Sequence, residues 1–158
     1  MGTTPMTSAV RALNEAGVKF STHLYRYENG LGAEGAARIL ALDPHAVIKT
    51  LIMETGQGDP LCVLMHGDQR VSTKGLARSI GTKAIRTSPP DRAERFSGYR
   101  IGGTSPFGMR TSMPIYLEST VLDYPSIYVN GGKRGFLIEV STRDLVSTLQ
   151  PILVEMAA

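Results

Sequence analysis

A single lysine stands inside an apolar, β-branched run, Val47-Ile48-Lys49-Thr50-Leu51-Ile52-Met53. In an extended strand its neighbours Ile48 and Thr50 point to the opposite face. If Lys49 faces a cleft, burial penalises its charge unless an anionic or carbonyl-bearing ligand meets it. On a solvent face it would instead snorkel over its neighbours. A second segment, Gly102-Gly103-Thr104-Ser105-Pro106-Phe107-Gly108, combines closely spaced glycines with a proline that fixes the path. Amides in such a loop can be aimed at a carbonyl oxygen, an oxyanion or a phosphate, although a plain surface turn has the same composition. No Gly-Lys-Ser/Thr follows it, and it is not a dinucleotide fingerprint. The third segment, Asn130-Gly131-Gly132-Lys133-Arg134-Gly135, is hairpin chemistry between two apolar runs. Its paired cations could also meet a backbone phosphate.

Other chemistries find little support. Gly103-Thr104-Ser105-Pro106-Phe107 has the serine of a nucleophile elbow but Phe in place of the second glycine. Cys62 lies in the apolar run 61–65, where a buried, inert thiol is expected. His23 falls mid-strand, His45 beside a proline turn and His66 at a strand end, which are structural or exposed positions. One cysteine and three scattered histidines exclude a Cys-rich zinc site. No metal site is expected, no cofactor motif is present, and no carboxylate pair has the signature of glycosidase chemistry.

The elements that must position these residues follow from periodicity and punctuation. Residues 7–16 read as an amphipathic helix, with Thr7 or Ser8 as cap and Gly17 as a left-handed stop. Residues 20–27 alternate, Phe20, Thr22 and Leu24 against Ser21, His23 and Tyr25, as a strand with one buried face does. Residues 33–41 are helical although Gly35 weakens them, and Asp43-Pro44 reads as a cap followed by a first-turn proline. Residues 47–53 and 61–65 form an antiparallel hairpin across a turn-rich connection. A helix opens at Ser72 or Thr73 and closes at Gly81, a short strand covers 84–87, and Ser88-Pro89-Pro90 starts a helix running to about Phe96. Strands follow at 115–118, 126–130 and 136–140, with 131–135 as a tight turn. Ser141-Thr142-Arg143-Asp144 opens a last helix ending before Pro151. This irregular mixture implies an α+β fold around a curved mixed sheet, in a single domain over residues 1–158.

Composition narrows the function. The chain has 158 residues, 42% hydrophobic and 20% charged, which excludes a disordered or fibrous protein. No apolar run approaches the ~18 residues of a membrane span, and residues 1–10 lack a signal-peptide core. A lone cysteine favours a reducing, cytoplasmic setting. The net charge is +3, but nine basic residues and three acids fall between 66 and 110. Such a basic middle suits a polyanion, or a set of solvated helix faces. Aromatics are 6% with no Trp, so stacking platforms for single-stranded RNA are not evident.

Taken together and in order, Val47–Leu51, Gly102–Gly108 and Asn130–Gly135 resemble the YbaK family of freestanding aminoacyl-tRNA deacylases, relatives of the editing domain of bacterial prolyl-tRNA synthetases. The likeness extends to the opening helix and residues 20–25, and the nearest subgroup is the Cys-tRNA(Pro)/Cys-tRNA(Cys) deacylases. It implies a mixed, largely antiparallel sheet curled into a partial barrel with surrounding helices. It also implies hydrolytic removal of a wrongly attached amino acid from tRNA. The family's essential lysine falls on Lys49, its Gly-x-x-x-Pro element on Gly102 through Pro106, and its first-strand tyrosine on Tyr25. On this resemblance Lys49, Gly102, Gly103, Ser105 and Pro106 carry catalysis. Tyr25, Thr104, Phe107, Gly108, Gly131, Gly132, Lys133 and Arg134 hold substrate. The partners implied are the acceptor end of aminoacyl-tRNA and a prolyl-tRNA synthetase that could supply tRNA identity. Some cysteine-clearing members carry an aspartate two residues after the Lys-Arg-Gly turn, where this chain has Leu137. The cleared residue therefore stays open among cysteine, alanine and another small amino acid, beside a noncatalytic tRNA- or synthetase-binding module. The attacking group stays open among water, a ribose hydroxyl and the substrate's own side chain.

Overall fold

The structure, a computed structural model, describes residues 4–158; the first three positions of the segment read above for a leader lie outside the described residues. Helix α1 (Ser8–Glu15) begins where Thr7 Oγ1 accepts from the Val10 N–H at 3.1 Å, and it buries Ala9, Val10 and Leu13. Strand β1 (Phe20–Leu24), helix α2 (Gly32–Ile39) and the antiparallel strands β2 (Ile48–Thr55) and β3 (Pro60–His66) follow. Helix α3 (Thr73–Ile80) is capped by the Ser72 hydroxyl and stopped by a left-handed Gly81. Strand β4 (Ile85–Thr87) leads into α4 (Pro90–Ser97), whose first-turn proline has no N–H to leave unsatisfied. Beyond the glycine loop come β5 (Ile115–Glu118), a 3₁₀ turn (Ser119–Asp123), β6 (Ser126–Lys133) and β7 (Phe136–Ser141). Helix α5 (Thr142–Leu149), capped by Ser141, and β8 (Ile152–Val154) complete the order.

The fold is α+β, and its strands form two sheets, with no closed barrel. One is the three-stranded β1-β7-β6, the other the five-stranded β4-β2-β3-β5-β8. A parallel bridge between Val47 and Tyr128 joins them, with the Tyr128 N–H donating to the Ala46 carbonyl at 3.0 Å. The main core lies between the sheets, where Ile48, Ile52 and Leu64 meet Ile127, Val129, Phe136 and Ile138, with Leu13 and Ala93 from the helices. A second core, Met53, Val63, Met65, Leu76 and Ala77, holds α3 against the other face of β2 and β3.

Several local expectations are corrected. β1 is an edge strand paired only with β7, so its alternation does not produce one buried face: Thr22 is exposed and Leu24 is 51% exposed. Asp43-Pro44 opens a single turn, with Asp43 Oδ1 accepting from the His45 N–H at 2.9 Å, and no helix follows. Gly131 and Gly132 are not the hairpin turn. They belong to β6, where the pairing register slips between Asn130 and Lys133, and Arg134-Gly135 makes the reversal. β8 pairs parallel with β5, a long-range contact that local sequence does not announce. No helix among the described residues is long and apolar enough to cross a membrane.

Candidate active site

The site originates in a gap in the β-structure. β4 covers β2 only from Met53 to Thr55, and β6 bridges to the start of β2 through the Val47–Tyr128 pair. Between them, residues 49–51 keep a free edge on the side away from β3. Backbone groups alternate along a strand, so residues two apart face the same side. Ala46 O accepts from Tyr128 N on that side and Ile52 O accepts from Ser88 N at 3.1 Å, while Val47 O faces the other way, toward Gly67 N at 2.7 Å. The N–H and C=O of Thr50 therefore face the gap.

A cavity of about 440 Å³ opens there, within the range of small-molecule sites. Because the edge is open, the cavity takes in both faces of β2: Lys49 and Leu51 beside Ala33 and Ala36 of α2, and Thr50 and Ile52 beside Ser88 and Ala93 at the start of α4. Tyr25, Tyr27, Gly102, Thr104, Asn130 and Leu137 complete its rim and walls.

Lys49 is half-buried and makes no ion pair among the described residues. Burial lowers its proton affinity, while the carboxylates of Glu34 and Asp68 act in the opposite direction. Burial raises the pKa of the Tyr25 hydroxyl, so it remains a neutral donor.

The bend at Gly102 is held by the hairpin opposite. Asn130 Nδ2 donates to the Gly102 carbonyl at 3.2 Å, and Arg134 Nε donates to the Ile101 carbonyl at 2.8 Å. The Arg134 guanidinium also lies over the Tyr27 ring, 5.0 Å from its centroid. Asn130 Oδ1 accepts from the N–H groups of Gly132 and Lys133 at 2.7 and 3.1 Å, so one side chain ties the strand irregularity to the bend. Gly102 has φ +88°, and a Cβ there would stand 2.7 Å from the Tyr27 hydroxyl. A Cβ on Gly103 would stand 2.9 Å from the Arg134 nitrogen, so loop and hairpin backbones approach closely only because this residue is glycine.

The structure thus brings Lys49, Tyr25, Gly102 and Thr104 to one cavity and places the remaining sequence candidates behind or beside it. Gly103 supports the bend from the hairpin side. Ser105 is fully buried, its hydroxyl accepting from the Phe107 N–H at 3.3 Å. Pro106 is buried and Phe107 belongs to the core, and none of these three lines the cavity. Gly108 packs on the backbone of Ser8, far along the loop. Gly131 accepts through its carbonyl from Thr7, Gly132 bonds to Asn130, and Lys133 is exposed at the hairpin tip. Arg134 acts on the bend through Ile101 and Tyr27.

Tyr27, Thr50 and Ser88 line the cavity without having been singled out as site residues from the sequence, and Asn130 joins them there. Asn130 had a signal of its own, as a side-chain amide directly before two glycines. No His, Asp, Glu or Cys is among the lining residues, so Lys49 is the one lining side chain there that could act as a base. Cys62 is fully buried, with its thiol pKa pushed up to about 12. Among the described residues no cluster of three or more His, Cys, Asp or Glu is placed to hold a metal.

With this fold and site in place, the chain can be set beside known proteins. The family model described as "Aminoacyl-tRNA editing domain" matches residues 28–148, and the chain belongs to that family. It is 30% identical over 142 residues to the "Putative Cys-tRNA(Pro)/Cys-tRNA(Cys) deacylase EbsC" of Enterococcus faecalis, covering 89% of this chain and 87% of the relative. It is 23% identical over 86 residues to the proline–tRNA ligase of Brachyspira hyodysenteriae, spanning 54% of this chain but only 15% of that enzyme. The fold is shared, with TM-score 0.83, 24% identity and 99% of each chain covered, with a structure described as that of "a putative trans-editing enzyme for prolyl tRNA synthetase".

Proposed function

We propose that this chain hydrolyses the ester of wrongly charged aminoacyl-tRNA in trans, with Cys-tRNA(Pro) as its substrate. The observation that supports this most is the cavity at the open edge of β2, which has Lys49 on one side and the Gly102–Thr104 bend on another. An aminoacyl ester is already activated, so the site need only orient the attacking group and stabilise the oxyanion that forms on the carbonyl. The Lys49 ammonium meets that developing charge, or the terminal nucleotide. Main-chain amides at Gly102 and Thr104, which line the cavity, would share the oxyanion. Tyr25 donates to the substrate as a neutral phenol.

With no base-activated side chain in the cavity, the nucleophile comes from water or from the substrate. In the hydrolytic case a water oxygen bonds to the carbonyl carbon, the bond to the ribose oxygen breaks, and the proton that the water gives up ends on that ribose oxygen as it leaves. Cysteine as the cleared residue is supported by the name of the Enterococcus relative and by the small, largely apolar chamber. A prolyl-tRNA synthetase is the proposed partner, since part of such enzymes resembles this chain and could pass on tRNA that it has selected. Exposed cations outside the cavity, among them Lys83, Arg95, Arg100 and Arg110, would hold the acceptor stem through its phosphates.

The test is the rate of ester loss from tRNA(Pro) charged with cysteine, alanine or proline, with and without the purified protein. Cysteine is expected to leave fastest and proline at the uncatalysed rate. Faster loss of alanine would reassign the substrate, and loss of all three at the uncatalysed rate would overturn the enzyme reading.

A further inference from the structure

Two hydroxyls at the α4 end of the cavity have no hydrogen-bond partner among the described residues. Ser88 is 4% exposed and Thr50 is shielded at its oxygen, and neither Thr50 Oγ1 nor Ser88 Oγ bonds to any other residue or to the other. Both residues line the cavity. Their placement follows from the backbone. The Ser88 N–H donates to Ile52 O, which closes the β4 pairing just before Pro89 and Pro90 turn the chain into α4. Thr50 shares its strand face with Ile48 and Ile52, opposite Lys49. Ile52 and Ala93 are the apolar neighbours at this end of the lining, and Thr87 precedes Ser88 there.

A buried hydroxyl without a partner costs free energy that any ligand group able to bond it restores. Two such groups in one small apolar chamber are a recognition device for a ligand with a short polar end. They lie across β2 from the lysine, where an acyl group would extend if its carbonyl sat between Lys49 and the Gly102 bend.

We infer that Thr50 and Ser88 read the side chain of the esterified amino acid and select one bearing a hydroxyl or thiol, seryl or cysteinyl, over alanyl. This rests on the deacylase reading and adds to it the residues that set specificity. A hydroxyl or thiol on the substrate can accept from one wall and donate to the other. Alanine is small enough to enter but leaves both wall groups unpaired. Sites built around such polar groups reject the analogue lacking the partner far better than apolar pockets separate substrates that differ by one methylene.

The test uses adenosine carrying a seryl, cysteinyl or alanyl group through a 3′-amide, which the protein cannot hydrolyse, titrated calorimetrically into the full chain. The wild type is expected to bind the seryl and cysteinyl amides at least roughly 10-fold more tightly than the alanyl amide. Ser88→Ala and Thr50→Val should each reduce that ratio by roughly 5- to 10-fold, and Thr50→Ser should restore it. Removing an unpaired hydroxyl should leave the melting temperature of Ser88→Ala at or above that of the wild type. A marked fall would mean that the hydroxyl is bonded within the protein, which overturns the inference. Equal binding of all three amides, or variants that keep the wild-type ratio, would overturn the specificity assignment while leaving the site as an editing site. Failure of the wild type to bind any of them would overturn the deacylase reading as well.

Discussion

Replacing Lys49 by methionine keeps the length and packing of the aliphatic stem while removing the ammonium. The side chain lines the cavity, is half-buried and has no ion-pair partner among the described residues whose loss would confound the result. Removing one donor to a developing oxyanion costs about 2.7–4 kcal/mol, a factor of roughly 10²–10³. Partial exposure screens the charge, so the lower end applies: about 2.7 kcal/mol, or close to a hundredfold at ~1.36 kcal/mol per decade. The assay is single-turnover loss of labelled amino acid from charged tRNA, with thermal unfolding followed in parallel.

Burial makes the folded state hold this proton less tightly than the unfolded chain does, so the charge works against folding at neutral pH. The methionine variant should accordingly melt no lower than the wild type. On the proposed role the ammonium is the active form, so ligand binding should be complete at neutral pH. It should fall as pH rises through a value below the ordinary lysine range. A folded methionine variant with wild-type turnover would refute the role of Lys49.

Glu54 is fully buried, with Arg92 2.9 Å and Arg86 3.7 Å from its carboxylate. Glu54→Gln should cost about 1.5–3 kcal/mol in urea unfolding, less than the ~3–5 of fully buried pairs because both guanidinium groups reach solvent. An unchanged midpoint would show the ion pairs to be idle. Affinity for tRNA should fall linearly on a log–log plot against salt, and a flat response from low to moderate salt would count against the exposed cations. Cys62 should resist thiol reagents in the folded protein, and Cys62→Ala should deacylate at the wild-type rate; rapid labelling or lost activity would contradict its burial in the core.

Features governed by neighbouring residues were legible in the sequence. The caps at Thr7, Ser72 and Ser141, the left-handed stop at Gly81, and the β2–β3 hairpin all depend on residues a few positions apart. Lys49 stood out because a charge within an aliphatic strand has few explanations. What depended on distant partners was hidden. β8 is three residues that become a strand only by pairing with β5, and β1 lost its alternation by lying at an edge.

The glycine-rich segments were visible, but their division of labour was not. Gly102 and Thr104 face the cavity, while Ser105, Pro106 and Phe107 are the buried anchor that holds the bend. Gly131 and Gly132 have the composition of a turn, yet the Arg134-Gly135 reversal leaves them as a slip in β6 that Asn130 fastens to the bend. Thr50 and Ser88 carry no local signal at all. They matter only because β4 stops short and leaves part of β2 uncovered.

The most direct test of a carbonyl-binding site at that uncovered edge is amide-resolved NMR of the labelled protein titrated with a non-hydrolysable aminoacyl-adenosine amide. The amide signals of Thr50, Gly102 and Thr104 are expected to shift together with one dissociation constant, and Lys49→Met should weaken that constant. Shifts confined to surfaces away from β2 and the Gly102 bend, or no shifts up to saturating ligand, would contradict it.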